Sequence, residues 1–445
     1  MPVLRNIGCL ATCRMEGGQD QIHPIHNAAL VWDGPVITWV GPEHALPPDF
    51  HAKDGWDAGG RLVIPGLIDC HTHLAFGGWR ADEFAQRVRG NPSTSLNPPS
   101  PPFPKGGGER SSLTSHLERG GKVGFSGEGE GNLGTGIIRT VRQTRACSTD
   151  DLLERCKKFL DEMAKLGVTT VECKSGYGLT VESELTQLNV YKTLDERHPM
   201  RIVSTFLGAH LVPPEYESDR LGYIDLLQNK LIPLIAQQQL AQFCDVFVEE
   251  SAFTIEEARI LLETSKKYGL RPKVHADQLT DGGGARLAAE VGAISADHLE
   301  YASGEGMQKM AKTDVVAVSL PLASLYMNQK PFDGRRFIEA GIPVAVATDF
   351  NPGTAPSFHL PLAMMLACTM QRMIPAEVLK GSTVFAAKAL GLEETIGSLE
   401  PGKAADFAVI DAPDINHWLY HFRPNACVGT VMQGTPVTGE IKLEC

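Results

Sequence analysis

The chain has 445 residues, of which 42% are hydrophobic and 21% are charged, and its formal net charge is −12. Because single cores usually stop growing near ~250 residues, we expect more than one domain. The acidic balance argues against a nucleic-acid partner or an anionic membrane surface, and no apolar run reaches the ~20 residues that span a bilayer. With no secretory pattern at its start and ten scattered cysteines, the sequence is typical of a cytoplasmic protein.

The two ends of the chain predict one small β domain. Residues 1–60 hold short apolar runs, at 28–32 and 36–40, that glycine and proline divide. Residues 397–445 have the same character, with a further run at 428–431. Short runs bounded by such residues are typical of strands. We therefore expect the ends to form a β-sandwich beside the larger domain.

Residues 61–396 predict a (β/α)8 barrel. Eight apolar, strand-like segments recur, and helical patterns such as 150–166, 255–268 and 304–311 lie between them. This alternation indicates a parallel sheet. A closed barrel is favoured over a doubly wound open sheet, because only the barrel gathers all eight strand ends in one ring. The segments are 62–73, 168–174, 201–210, 243–250, 271–275, 293–298, 315–320 and 343–349.

One stretch, residues 91–133, interrupts the alternation. It is rich in proline and glycine and poor in apolar side chains. Such a segment buries too little surface to offset the entropy of ordering it. We expect a disordered surface insert between the first barrel strand and its helix.

Four side chains at strand ends predict a metal site. Residues two apart on a strand share a side, so His71 and His73 project together. His275 and Asp349 close the fifth and eighth strands, where an unpaired polar group would cost stability. The ends of barrel strands meet on one face. Three imidazoles and one carboxylate suit zinc or a similar first-row metal rather than calcium or magnesium.

Further residues at these ends fit hydrolysis. Water activated by a metal needs a carboxylate that accepts its proton and passes it to the leaving group, and Asp349 suits both tasks. A donor must also polarise the attacked carbonyl, and His298 stands at the next strand end. Lys174, at the end of the second strand, leaves open a two-metal site bridged by a carboxylated lysine.

Longer motifs resemble those of the imidazolonepropionase family, which belongs to the amidohydrolase superfamily and acts in histidine degradation. The resemblance covers nearly the whole chain except the insert. The Gly-Gly-x-Arg after the two histidines, the Ser-Gly-Tyr-Gly string and the TDFNPGT string are specific to this family. The matching segments are 65–84, 140–146, 167–179, 205–216, 274–279, 295–301 and 347–354.

The resemblance implies hydrolysis of the ring amide C–N bond of 4-imidazolone-5-propanoate to N-formimidoyl-L-glutamate. It implies one zinc or iron ion per subunit on His71, His73, His275 and Asp349. We expect the metal, together with His298 or His210, to stabilise the charge that develops on the carbonyl oxygen. It also implies a homodimer with a small-molecule substrate. The residues it places against substrate or product are Arg80, Tyr177, His210, Gln278, Asn351, Gly353 and Thr354.

The chain departs from the family in two places. Gln278 is an amide where some members carry a glutamate, so proton transfer is expected to depend on Asp349. The insert replaces a segment that normally follows Arg80. Two alternatives remain: another amidohydrolase acting on a small acidic cyclic amide, and an inactive scaffold with this fold. Arg80 favours an acidic substrate, because its planar guanidinium matches a carboxylate.

Overall fold

The computed structural model describes residues 1–51, 55–89 and 136–439, and the backbone of 443–444. The predicted insert at 91–133 lies outside the described residues. The strands are β1 (Val3–Ala11), β2 (Pro24–Asp33), β3 (Val36–Pro42), β4 (Gly55–Asp57), β5 (Leu62–Pro65), β6 (Leu67–Thr72), β7 (Val168–Lys174), β8 (Arg201–Ala209), β9 (Phe243–Val248), β10 (Arg271–Ala276), β11 (Ser295–His298), β12 (Val316–Ser319), β13 (Val344–Val346), β14 (Phe407–Ile410), β15 (Cys427–Met432), β16 (Thr435–Gly439) and β17 (Leu443–Glu444).

Helices follow most of the barrel strands. They are α1 (Ala81–Val88), α2 (Gly136–Arg145), α3 (Thr149–Lys165), α4 (Val181–Arg197), α5 (Arg220–Leu226), α6 (Ile232–Gln237), α7 (Ile255–Lys267), α8 (Gly284–Val291), α9 (Gly304–Met310), α10 (Pro321–Met327), α11 (Gly334–Glu339), α12 (Leu360–Gln371), α13 (Pro375–Gly381), α14 (Val384–Lys388) and α15 (Ile415–Tyr420). Within the described chain, none of these helices has the length and apolar character needed to cross a membrane.

Strands β6 to β13 form a parallel sheet in which each strand pairs with the next along the chain. The segment just beyond the end of the last strand meets the carboxyl end of the first strand. The amide of Asp349 donates to the carbonyl of His71 (3.0 Å), and the amide of His73 donates to the carbonyl of Phe350 (2.8 Å). These bonds bring the two edges of the sheet together. The barrel predicted from the alternating pattern is confirmed.

The predicted strands agree with β7–β13 to within a few residues, but the first one differs. The structure divides residues 62–73 at Gly66 into β5 and β6. Only β6 belongs to the barrel, whereas β5 pairs with β1 and β14. A Cβ at Gly66 would lie 2.2 Å from the Thr169 hydroxyl oxygen, so the chain can pass between the two sheets here only without a side chain.

The second sheet contains strands from both ends of the chain, in the order β16-β15-β14-β5-β1-β2-β3, with β4 paired to β1 and β17. Its own core includes Trp32, whose ring meets Phe407 edge-on at 5.2 Å. A separate sheet built from the two termini is therefore confirmed. The bounds 1–60, 61–396 and 397–445 stay a prediction, and β5 lies in the terminal sheet although it falls within 61–396.

The predicted helical segments appear as α3, α7 and α9, and their starts follow from side-chain caps. Ser148 accepts from the amide of Asp151 at the start of α3. Thr254 and Glu257 form a capping box at the start of α7. Such caps satisfy amides that have no partner within a helix. The first turns of these two helices are therefore fixed by their own side chains.

Candidate metal centre and active site

The four predicted ligands meet at the carboxyl ends of β6, β10 and β13. Ligand nitrogens of His71, His73 and His275 all lie within 4.8 Å of one another. The Nε2 atoms of His71 and His73 are each 3.5 Å from Oδ1 of Asp349. All four side chains are buried. Residues 71 and 349, which are far apart in sequence, become neighbours because the first and last strands close the barrel.

This cluster fits a metal ion. The Nε2 atoms of His71 and His275 are buried, and no described residue gives either of them a well-formed hydrogen bond. An unpaired buried nitrogen is costly, so two of them within a cluster of potential ligand atoms fit a bound metal ion. Burial lowers the pKa of His73 and sets that of His275 well below its usual value, which keeps both rings neutral and free to coordinate. The donor set of imidazole and carboxylate suits a first-row metal.

Two carboxylates behind the cluster orient the imidazoles. His71 Nδ1 donates to Asp297 Oδ2 (2.6 Å), and His275 Nδ1 lies 2.9 Å from Asp245 Oδ2. A carboxylate at Nδ1 fixes the tautomer that leaves Nε2 for a metal. Sequence reasoning missed both aspartates. The sequence pattern that could have identified them is an acidic residue within an apolar strand, because such a residue needs a buried partner.

A buried ion cluster lies beneath the ligands, formed by Glu172, Lys174, Asp245, Lys273 and Asp297. Lys174 Nζ is 2.9 Å from Glu172 Oε1 and 2.8 Å from Asp245 Oδ2. Burial alone would lower the pKa of Lys174, but these carboxylates outweigh it and raise that pKa. The amine therefore stays protonated, whereas carboxylation needs a neutral amine. This argues against the two-metal alternative.

Two site residues have strained backbones. Asp349 has φ +56° and His298 has φ +79°, both in the left-handed region that side chains disfavour. The hydrogen bond from the Asp349 amide to the His71 carbonyl holds the backbone of Asp349 in this conformation. Such strain persists where the surrounding structure enforces it and is common at functional sites.

A pocket opens above the cluster, and most of the predicted site residues line it. His71 and Gly353 are not among its lining residues, although Gly353 contacts Arg80. Ile137, Phe247, Leu279 and Met327 also line it and were missed, because apolar lining residues have no sequence signal that separates them from the core. The predicted residues that line it are His73, Arg80, Tyr177, His210, His275, Gln278, His298, Asp349, Asn351 and Thr354.

Arg80 is held through its Nε atom, and within the described residues no hydrogen bond engages its two outer nitrogens. Its Nε donates to Glu83 Oε2 (3.0 Å), and both side chains are almost fully buried. Its guanidinium lies against Gly353, where an added Cβ would be 2.3 Å from Nη1. Gly353 therefore makes room for Arg80. The remaining nitrogens form a planar fork suited to a carboxylate.

Tyr177 and His210 pack against His73 on one side of the pocket. The rings of His73 and His210 stack at 5.4 Å, and the Tyr177 ring is 5.4 Å from that of His210. Gly176 has φ +105°, which gives the tight turn before Tyr177. His210 Nδ1 donates to the Gly176 carbonyl (3.1 Å), so Nε2 of the neutral ring is an acceptor. Burial lowers the pKa of His210 to about 3.

Asn351 shapes the loop after β13. Its Oδ1 accepts from the amides of Gly353 (2.8 Å) and Thr354 (2.7 Å), and its Nδ2 donates to the carbonyl of Asp349 (2.7 Å). These bonds form an Asx-type turn. The amide of Asn351 is thus engaged within the loop, and the Thr354 hydroxyl shares in that network.

Comparison with known proteins agrees with this architecture. Residues 239–437 match the Amidohydrolase family. The chain is 43% identical over 423 residues to the imidazolonepropionase of Geobacillus thermodenitrificans, covering 94% of this chain and 92% of the relative. It is 40% identical over 428 residues to that of Fusobacterium nucleatum, covering 95% of each.

Solved structures show the same fold at low sequence identity. Atrazine chlorohydrolase from Arthrobacter aurescens, complexed with zinc, superposes with a TM-score of 0.68 at 17% identity, covering all of this chain and 96% of that one. Guanine deaminase from E. coli has a TM-score of 0.68 at 15% identity and covers 99% of each chain.

The barrel, the buried His–Asp cluster and the family match define the class of protein: this is an amidohydrolase, with a side-chain cluster suited to a metal ion. Within that class, the chain belongs to the imidazolonepropionase family. The resemblance indicated by the sequence motifs and the expectation of a hydrolase are both confirmed.

Proposed function

We propose that the protein hydrolyses the ring amide C–N bond of 4-imidazolone-5-propanoate to N-formimidoyl-L-glutamate, a step of histidine degradation. The observation that supports this most strongly is the cluster of His71, His73 and His275, with Asp349 3.5 Å from two of these rings, at a pocket that contains a buried arginine. It occurs in a chain 43% identical to an imidazolonepropionase. Membership of this family also supports a cytoplasmic homodimer.

The same four residues are proposed to hold one zinc or iron ion. When bound, the ion supplies Lewis acidity that makes water nucleophilic near neutral pH. Burial opposes a charged His71 ring, but Asp297 and Asp349 outweigh burial and raise its pKa to about 9. Ion binding must therefore displace a proton from His71, so metal affinity is expected to fall as the pH is lowered.

Asp349 is the proposed carrier of the proton. Burial would raise the pKa of Asp349, but the rings of His71 and His73 outweigh it and hold that pKa well below its usual value. The carboxylate is thus ionised before water attacks. Once protonated, it gives the proton readily to the departing ring nitrogen. Gln278 is an amide and cannot share this task.

The two pocket histidines receive different roles. Burial lowers the pKa of His298 to about 4, so a neutral ring faces substrate and donates one N–H to the attacked carbonyl. His210 Nε2 is an acceptor, because Nδ1 donates to Gly176. We therefore assign charge stabilisation to His298 alone, and assign His210 to accepting a substrate N–H. This revises the expectation that either histidine serves the carbonyl oxygen.

Arg80 is proposed to bind the propionate, and Gly353→Ala tests this. The added Cβ crowds the guanidinium, so we expect KM to rise about tenfold, equal to roughly 1.4 kcal/mol of binding, with kcat within about threefold. Steady-state kinetics measure both. The control is Gly304→Ala, where the added Cβ would be no nearer than 3.4 Å to another side chain. An unchanged KM in Gly353→Ala would contradict the role of Arg80.

The direct test of function follows ultraviolet absorbance of the imidazolone on addition of purified protein. We expect turnover that a chelator abolishes and that zinc or iron restores, because the attacking water needs the ion. Comparing the two metals at equal occupancy identifies the better one. Absence of turnover on fresh substrate, or turnover indifferent to metal removal, would refute the proposal. Parallel assays with other small acidic cyclic amides separate this substrate from the alternative.

A further inference from the structure

Two buried polar atoms beside the pocket face each other and have no role in the reaction described so far. His298 Nδ1 and Glu300 Oε2 are 3.9 Å apart, with side chains only 3% and 2% exposed. Throughout the described chain, neither atom finds a hydrogen-bond partner. Leaving two such groups unpaired costs stability, so their proximity calls for a functional reason.

A strained turn holds the pair together. His298 has φ +79° and Leu299 has φ +66°, two successive residues in a region that favours glycine. The turn is anchored to β10 and the residue after it, since Leu299 donates its amide to the carbonyl of Ala276 (2.9 Å) and Tyr301 donates to that of Asp277 (2.8 Å). The backbone thus maintains this pair at a conformational cost.

The hydrogen bond that Glu300 Oε1 makes indicates which carboxyl oxygen carries the proton. Ser324, in the middle of α10, donates its hydroxyl to Glu300 Oε1 (3.0 Å). Burial raises the pKa of Glu300 to about 8, and the charges of Asp349 and Glu249 add to this effect. The carboxyl group is therefore neutral near pH 7. Because Oε1 accepts from Ser324, the proton is placed on Oε2, the atom that faces His298.

We propose that Glu300 is a positioning residue that sets the tautomer of His298, an inference that rests on the proposed function. The Oε2–H of Glu300 donates to Nδ1 of His298, so the ring proton is on Nε2. That N–H then points to the substrate carbonyl oxygen. Without Glu300, the neutral ring can carry its proton on either nitrogen. Hydrogen bonds of catalytic groups are often long in free enzymes and shorten when substrate binds, which accounts for the 3.9 Å separation.

Two substitutions of Glu300 test the proposal in the metal-loaded enzyme. In Glu300→Leu we expect kcat to fall about 100-fold, the typical cost of losing one donor to a developing oxyanion, while KM stays within about threefold. In Glu300→Gln the amide oxygen accepts from Ser324 and the amide nitrogen donates to His298, so kcat stays within about fivefold of the parent enzyme. An unchanged kcat in Glu300→Leu, or equal losses in both variants, would overturn the proposal.

The pH profile supplies a readout that a purely structural role would not change. Glu300 is neutral below its pKa of about 8 and charged above it. The donor is therefore lost as the pH rises, and kcat of the parent enzyme is expected to fall on the alkaline side. The amide of Glu300→Gln does not titrate, so this fall should be absent from it. The same alkaline fall in both enzymes would contradict the role of Glu300.

Nitrogen-15 NMR of the zinc-loaded protein reads the tautomer without turnover. We expect the His298 proton on Nε2 in the parent enzyme and in Glu300→Gln, and a mixture of tautomers in Glu300→Leu. A proton on Nδ1 in the parent enzyme would refute the inference. Failure of the parent enzyme to consume 4-imidazolone-5-propanoate would instead refute the proposed function, while the NMR result still decides the role of Glu300.

Discussion

The Asp349→Asn variant is expected to lose about 10⁴-fold in kcat, the upper range for removal of an acid–base group. Asparagine keeps the shape of the side chain but neither accepts nor delivers a proton. It also removes the negative charge that faces Nε2 of His71 and of His73, each 3.5 Å from Oδ1. Metal affinity should fall as well, because a neutral amide is a weaker ligand than a carboxylate.

Kinetics at saturating metal, with metal content measured on the same samples, separate the two effects. A kcat still reduced about 10⁴-fold at full occupancy assigns proton transfer to Asp349. The matched control is Asp161→Asn, since Asp161 also contacts a histidine, His198 at 3.2 Å, but lies on α3 away from the pocket. It should keep normal kcat. Activity of fully loaded Asp349→Asn within tenfold of the parent would contradict the mechanism.

Lys174→Met is expected to lower the free energy of unfolding by about 3–5 kcal/mol, the usual cost of leaving buried charges without their partner. Lys174 Nζ lies within 3.4 Å of carboxylate oxygens from Glu172, Asp245 and Asp297, and all of these side chains are fully buried. Lys273, whose Nζ is 3.1 Å from Glu172 Oε1, then remains as the other lysine of this cluster. Since Asp245 and Asp297 also orient His275 and His71, weaker metal binding is expected in the same variant.

Urea denaturation of the metal-free proteins measures the loss of stability, and metal titration measures the second effect. Lys157→Met is the matched control, because Lys157 pairs with Asp161 on the surface, where such a pair contributes at most about 1 kcal/mol. A loss in Lys174→Met no larger than that of the control would show that the buried ion cluster does not stabilise the barrel.

Much of the site could be predicted because strand geometry is local. His71 and His73 are two residues apart, and the pleat of a strand puts such residues on one side whatever the rest of the chain does. His275 and Asp349 each end an apolar run, and a barrel directs all strand ends to one face. These rules need only the order of residues, and the structure brings the same four side chains together.

Other features depended on contacts between distant segments. The split of residues 62–73 at Gly66 follows from the position of Thr169 in the next strand, which no local pattern contains. The roles of Asp245 and Asp297 depend on which residues face them across β9, β10 and β11. Register between strands is set by packing of the whole barrel, so these partners could not be predicted from sequence.

The sequence by itself indicated the barrel through the alternation of apolar and helical segments, the family through its motifs, and the four candidate metal ligands through their positions at strand ends. Only the tertiary structure decided how those side chains are held. The carboxylates behind His71 and His275, the lysines between them, and Glu300 against His298 come from separate strands or from a strained turn. The charges of those carboxylates and lysines are stable in the interior only as a group, and folding alone brings that group together.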